Sequence, residues 1–418
     1  MTEMSNLTKK EKRASKALFG AIAIMLLPFI LSNIVLGNSE YTLPLMLIAY
    51  AVQLGILVST FWRYYRGISK DTVLLLFWLI FFQISTFVVD WHMTFYISLQ
   101  DVAGAFAKCV NFIILYGVMK NIQLKKMQII RFMEYFVWFS VFACIYNLIA
   151  YWPDVMRFAT IQNTYELNLQ SFFTNRNQFG TFLFVSLVAH SYVVTEKGMK
   201  IRNVMIYVIQ ILSILLTMSR GAILVSVLFM GLLILKNVKR KSNLLFVIVS
   251  IFFGSMVLIY ILTRADIVEY ISRIFLRTGE GATGRNSIWN MGISTWKHNI
   301  FSGVGFYSGV EWAKTQGFQY GQFHSMIIDI LVSGGLAELA FIAVVFATVI
   351  NRCKKRCIDK NIKDIYFISL CSVFVLSLVE SVNFFSIGYA DSLWTISFVT
   401  VPLLLANMRP DEERYSKG

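Results

Sequence analysis

A chain of 418 residues that is 57% hydrophobic and only 15% charged lies far from the roughly 25% charge of soluble domains, which excludes an ordinary soluble fold. Its net charge of +15 would point to nucleic acid in a soluble protein. Here it reads as the Lys and Arg excess of cytoplasmic loops, so no nucleic-acid partner is expected.

In chain order, a basic tail over 1–16 precedes apolar runs near 17–36, 41–62, 72–89, 94–119, 129–152, 177–195, 203–218, 220–236, 243–263, 323–350, 365–380 and 386–406. About 18–20 apolar residues cross some 30 Å of hydrocarbon, so these runs predict twelve spans. The first is longer than a signal-peptide core, and Leu31-Ser32-Asn33-Ile34 offers no small-x-small cleavage site; an uncleaved span is expected. Spans one to nine fill 17–263, a long loop with short amphipathic helices fills 264–322, spans ten to twelve fill 323–406, and 407–418 is a tail. A second long connection runs from Pro153 to Arg176.

Alternating the loops between two sides places 28 of the 38 Lys and Arg on the side of the N-terminus and nine opposite, with Lys108 inside a span. Every loop on the basic side holds at least three. An error of one span would scramble that alternation, so both termini are expected in the cytoplasm. The fold class is therefore an all-α polytopic integral membrane protein with a long outer loop between helices nine and ten.

Five cysteines show no disulfide framework, and Cys353-x-x-x-Cys357 in a basic loop lacks histidine, so no metal site is legible. No GxxxxGK[ST] run occurs, so the chain is not its own ATPase.

The outer cations break the pattern most usefully. Arg176 (Thr174-Asn175-Arg176-Asn177-Gln178), Arg220 (Met218-Ser219-Arg220-Gly221) and Arg285 (Gly284-Arg285-Asn286-Ser287) sit at helix starts. A cation there opposes the helix dipole, but it combines with free N–H groups into an anion site, and guanidinium suits phosphate. The plainer reading is snorkelling, or ion pairs with Glu166, Glu269 or Glu280.

Of four histidines, His190 lies in span six, and His92 and His298 lie outside the membrane. His324 stands at the outer mouth of span ten, where a neutral imidazole can act as a base. Span ten also holds Asp329 and Glu338 and is interrupted at Ser333-Gly334-Gly335, where a tilt or break is expected. Asp329 is about 140° around the helix from His324, badly placed to orient it. Asp101 and Lys108 share one face of span four and pair either with each other through water or with other spans. Trp289, Ile293 and Trp296 stripe one face of a loop helix, either membrane-associated or a packed lid.

Thr283-Gly284-Arg285-Asn286-Ser287-Ile288-Trp289, Trp296-Lys297-His298-Asn299-Ile300-Phe301-Ser302-Gly303-Val304-Gly305-Phe306, and His324 with Gly335 together resemble the O-antigen ligase and polymerase family. Its patterns of arginine, three residues, leucine and of histidine, ten residues, glycine match Arg220–Leu224 and His324–Gly335, and Asn175-Arg176-Asn177 fits its outer-side pattern. The family's His-Pro before the glycine turn is His298-Asn299 here.

The resemblance implies a helical fold similar to the polyprenyl-phosphate-dependent (GT-C-like) transferases. It also implies metal-independent, cofactor-free glycosyl transfer at the outer face of the bacterial cytoplasmic membrane. The implied donor is a glycan on undecaprenyl diphosphate, with Arg176, Arg220 and Arg285 holding the diphosphate and His324 as general base. Implied partners are the bilayer, a flippase and a chain-length regulator.

The leading reading is a polymerase of lipid-linked repeat units for O-antigen, capsule or exopolysaccharide. A ligase moving finished glycan to another acceptor stands close behind. A flippase or transporter would use Asp101, Lys108, Asp329 and Glu338, but no inverted pair of broken spans is evident. Single cysteines at Gln162 and Gln316 are expected to label from outside, and cysteines at Arg240 and Lys355 are not. Labelling of the 264–322 loop from the cytoplasmic side would overturn both topology and mechanism.

Overall fold

The computed structural model describes residues 13–408 except 14–15, 18, 22, 37–38, 62–67, 95–97, 159–166, 168, 239–282, 358 and 387–392. The expected ninth span and the first part of the long loop thus lie outside the described residues. The regular elements described are helices: α1 (Phe19–Val35), α2 (Thr42–Phe61), α3 (Lys70–Thr94), α4 (Leu99–Asn121), α5 (Lys126–Ala150), α6 (Trp152–Arg157), α7 (Arg176–Lys197), α8 (Ile201–Leu216), α9 (Arg220–Val238), α10 (Thr283–Trp296), α11 (Phe306–Thr315), α12 (Met326–Arg356), α13 (Lys360–Ser377) and α14 (Leu393–Ala406). Among them, Lys70–Val89, Leu99–Asn121, Lys126–Ala150, Arg176–Lys197 and Met326–Arg356 are long and apolar enough to cross a membrane. Two boundaries differ from the sequence reading. Helix α3 continues to Thr94, so α4 starts at Leu99 and not at 94. The last helix begins at Leu393, after a non-helical stretch at 381–386.

The helices are apolar outside and partly polar inside, as a lipid solvent requires. On α3, Leu74, Phe77, Phe81, Ile84 and Val88 are exposed at alternating steps of three and four, whereas Leu79, Phe82, Gln83 and Thr86 are buried. Helix α8 exposes Ile201, Met205, Val208 and Leu212 and buries Asn203, Gln210 and Ser213. The buried groups find partners across helices. The Gln210 amide donates to Ser140 Oγ and Ser186 Oγ, both at 3.0 Å, and His190 Nδ1 lies 3.2 Å from Gln210 Oε1 with its ring stacked on Tyr207. His190 is thus a packing and hydrogen-bonding residue.

One end of the bundle gathers the basic residues that the sequence reading puts together. Lys126 pairs with Glu196 and Asp359, Lys197 with Glu134, and Lys236 with Asp364. At the opposite end, α7, α9 and α12 begin where α5, α8 and α13 stop.

Helix α12 is broken where its glycines stand. Gly334 has φ −139°, ψ 16° and Gly335 has φ 63°, ψ −158°. Both strands of the break are hydrogen-bonded by the turn before α11. The amides of Leu336 and Ala337 donate to the carbonyls of Ile300 (3.0 Å) and Phe301 (2.9 Å), and those of Val304 and Gly305 donate to Val332 (2.8 Å) and Ser333 (3.2 Å). Backbone meets backbone so closely that a Cβ on Gly335 would lie 2.3 Å from the Phe301 oxygen, and one on Gly303 2.6 Å from the Val332 oxygen. The Asn299 side chain ties the turn, donating to Ser302 Oγ (2.6 Å) and the Gly303 carbonyl (2.8 Å). Asn299 thus stabilises the position at which the family commonly has proline.

Gly335→Ala combines a left-handed backbone with overpacking, each costing about 1–3 kcal/mol. The expected outcome is a clearly lowered unfolding midpoint in detergent, with Gly55→Ala, whose Cβ meets nothing within 4 Å, left unchanged. Equal midpoints for the two variants would remove the glycine apposition as a stabilising feature.

Candidate active site

Each functional side chain is placed by a local packing device. Helix α7 is capped by Asn175, whose side chain accepts from the Gln178 amide at 2.9 Å, and Arg176 is the first residue inside. The α8–α9 turn, with Met218 at φ 51°, presses on α7 through Gly180. A Cβ there would lie 2.8 Å from Ala222 Cβ and 3.1 Å from Ser219 Cβ. That close approach sets Arg220, at the start of α9, beside Arg176. Gly292 does the same for α10, because a Cβ there would lie 2.3 Å from Ile328 and 2.9 Å from Phe323. Helix α10 therefore lies on the start of α12, with Ile288 buried and Trp289, Met291 and Trp296 packed against the same apolar cluster. The packed face of the helix is Ile288, Gly292 and Thr295, while the stripe Trp289, Ile293 and Trp296 lies at its edge, with both tryptophans half-buried and Ile293 exposed.

His324 precedes α12 at φ 52°, a left-handed conformation uncommon outside glycine and found more often for His, Asn and Asp. Asp329 holds the approach by accepting from the Phe323 amide at 3.1 Å. Asp329 thereby fixes the backbone one residue before His324.

One cleft of about 390 Å³ is lined by Arg176, Arg220, Arg285, His324 and Glu380, with Asn175, Asn177, Gln170, Leu167 and Met218. The four candidates come from four different elements. Among the described residues, non-glycine positive φ occurs at Ser171, Met218, His324 and Phe385. Two of these line the cleft and Ser171 adjoins it, and such backbone strain collects at functional sites.

Glu380 is the residue that the sequence reading missed. It is 8% exposed, its Oε1 lies 3.3 Å from Arg285 Nη2, and its Oε2 lies 3.9 Å from His324 Nδ1. Its backbone carbonyl accepts from the Met326 amide at 3.1 Å, joining the end of α13 to the start of α12. Gln322 Nε2 approaches the same His324 nitrogen at 3.2 Å. The acids expected as possible arginine partners, Glu166, Glu269 and Glu280, lie outside the described residues; the partner of Arg285 is Glu380. The signal for it was an acid ending an otherwise apolar run, Leu378-Val379-Glu380-Ser381.

Other singled-out residues fall elsewhere. His298 packs edge-on against Trp312 with centroids 4.5 Å apart, and His92 is exposed. Asp101 and Lys108 pair with other elements. Asp101 accepts from the amides of Tyr307 (3.0 Å) and Ser308 (2.8 Å) and from Ser308 Oγ (2.8 Å), and Lys108 Nζ lies 2.6 Å from Glu338 Oε1 and 2.9 Å from Ser333 Oγ.

Among the described residues, the cleft gathers three guanidiniums, one carboxylate and an imidazole, with α7 and α9 opening on it at their N-terminal ends, in a helical membrane protein. A family model described as O-antigen ligase matches residues 205–345, about a third of the chain, and that stretch is similar to the family. The match takes in Arg220, Arg285 and His324, and leaves Arg176 and Glu380 outside. Members of the family are glycosyltransferase-like enzymes, and the match supports ligase- or polymerase-type activity on lipid-linked glycans. No curated protein matches the chain.

Proposed function

We propose that the protein polymerises glycan repeat units carried on undecaprenyl diphosphate, at the outer face of the cytoplasmic membrane. The observation that carries this reading is the convergence of Arg176, Arg220, Arg285, His324 and Glu380 on one cleft. The arginines bind the donor diphosphate and stabilise its charge as the bond to the anomeric carbon breaks. His324 takes the proton of an acceptor hydroxyl, whose oxygen attacks that carbon with inversion. Undecaprenyl diphosphate leaves, and its phosphoester bond to the sugar supplies the driving force. For His324 to accept through Nε2, Nδ1 must carry the proton, which requires the Gln322 side chain beside Nδ1 to present its amide oxygen in place of Nε2; Glu380, 3.9 Å from Nδ1, supplies a counter-charge to the imidazolium that forms. Glu380 is thus a positioning residue. The second reading, transfer of finished glycan to a separate acceptor lipid, is favoured by the similarity of residues 205–345 to the O-antigen ligase family and uses the same residues.

Replacing Arg220 or Arg285 with Ala is expected to lower transfer about 10²–10³-fold, as loss of transition-state electrostatics does. Lys should restore only part, lacking the bidentate fork. Full-length polymer from the Ala variants of Arg176, Arg220 and Arg285 alike, each expressed normally, would rule out the clamp.

General-base help is worth about 10²–10⁴-fold, so His324→Ala should nearly abolish transfer by purified protein while undecaprenyl diphosphate still binds. His324→Gln should not rescue, because an amide cannot take the proton. Glu380→Gln should lower kcat and leave the KM for donor close to wild type. A variant His324→Ala that elongates at wild-type rate moves the base elsewhere, and product appearing only on an added acceptor lipid makes the protein a ligase.

A further inference from the structure

The turn that pairs with the α12 break carries exposed apolar side chains as well as glycine. Ile300 is 49% and Phe301 60% exposed, and Leu336, beside them on α12, is 45% exposed. The backbone holds these residues together. The Ile300 carbonyl accepts from the Leu336 amide and from the Trp296 indole, both at 3.0 Å, and the Phe301 carbonyl accepts from the Ala337 amide at 2.9 Å. On the other side, Ser85 and Thr86 of α3 donate to Ser302, the next residue of the turn. Their neighbours Ile84 and Val88 are exposed and apolar as well. On a loop in water, a contiguous apolar patch of this kind marks an interaction surface.

The helices themselves set the height of the turn. At the basic end, Lys126 joins Glu196 of α7 to Asp359 after α12, and Lys236 of α9 pairs with Asp364, so α7, α9 and α12 finish at one level. At ~1.5 Å per residue, α7 rises about 32 Å from Lys197 to Arg176, and α9 about 24 Å from Lys236 to Arg220. Those heights bracket the ~30 Å of a hydrocarbon core. By the same measure α12 rises about 27 Å from Lys354 to Leu336. Ile300 and Phe301, bonded to Leu336 and Ala337, therefore stand at the edge of the hydrocarbon and not in the water above it. The residues just before them suit that boundary: Trp296 is half-buried, and Lys297 and His298 are exposed.

We infer that Ile300 and Phe301 dock into the acyl chains of the leaflet opposite the basic end, anchoring the segment from α10 to α11 in the bilayer. Helix α10 carries Arg285 in its first turn and runs towards this anchor. The bilayer thus holds one end of the helix whose other end brings Arg285 to the cleft. The anchor is independent of the reaction that the cleft carries out.

The test puts one nitroxide spin label on full-length protein carrying Cys109→Ala and Cys371→Ala; the other three cysteines are buried. Labels are attached in detergent at Phe301→Cys, Ile300→Cys or Gln316→Cys, and each protein is moved into nanodiscs of phosphatidylethanolamine and phosphatidylglycerol. Gln316, exposed at the end of α11, is the aqueous reference. Collision of the label with oxygen, which concentrates in hydrocarbon, is compared with collision with a water-soluble nickel chelate. The oxygen-to-nickel ratio at 300 and 301 should exceed that at 316 several-fold. A ratio at both positions equal to that at 316 overturns the anchor. Weak collision with both reagents also overturns it, because protein and not lipid would then cover the turn. Should Phe301→Cys misfold, Ile300→Cys decides alone.

Discussion

The break in α12 at Gly334 and Gly335 organises what lies around it. A helix interrupted at membrane depth frees amides and carbonyls, and hydrocarbon cannot satisfy them. The turn at 300–305 satisfies them here, running alongside the break and bonding on both sides of it. That pairing requires two facing glycines, because any side chain at 303 or 335 would occupy the other strand's backbone. Once made, it fixes where α11 starts and therefore where Asp101 receives the Tyr307 and Ser308 amides. It also leaves the first turns of α12 as a separate short segment, whose direction can be set by Phe323, His324 and Asp329 independently of the long remainder.

Polar groups inside an apolar exterior are costly only if unmatched, and most here are matched between helices far apart in sequence. Lys108 bridges α4 to both sides of the α12 break through Ser333 and Glu338. Asn111 donates to the carbonyls of Phe385 and Ser386, satisfying backbone in the non-helical stretch before α14. Such bonds between membrane helices average about 0.6 kcal/mol, so their importance is in specifying register more than in total stability.

Much of the site could be read from the chain because charge is scarce in it. With 28 basic residues assigned to one side, each arginine left on the other is conspicuous, and Arg176, Arg220 and Arg285 were found that way. His324 stood out for the same reason, at the mouth of a span with internal carboxylates. The glycine pair announced a break through its composition. What the chain could not reveal is which distant partners meet. Glu380 is the last residue of the run 365–380, and nothing local marks the fold-back that brings it to Arg285 and His324. Asp101 and Lys108 share a helix face, which leaves open a mutual pair or partners on other spans; the partners are the second kind, more than 200 residues away on elements whose position depends on the α12 break. Gly180 and Gly292, which set α9 and α10 in place, carry no local signal, because close approach is a property of the neighbour.

One carboxylate serves two neighbours in the cleft, and this shapes its electrostatics. Glu380 offers Oε1 to Arg285 and Oε2 to the Nδ1 side of His324. At these distances the attraction to a fixed guanidinium is several times stronger in a partly dry cleft than in water. In the proposed reaction the diphosphate competes for Arg285. As the guanidinium turns its donors to phosphate, the carboxylate loses its stronger partner and becomes more available to the imidazole. The imidazole then acquires a proton from the acceptor, and the resulting cation needs a counter-charge at the moment the diphosphate claims the arginine. A single buried acid placed between the two therefore answers the charge demands of the free cleft and of the reacting one. The first turn of α12 is anchored at the Glu380 carbonyl, which accepts from the Met326 amide, so the residue that faces His324 Nδ1 also ties down the backbone two residues after it.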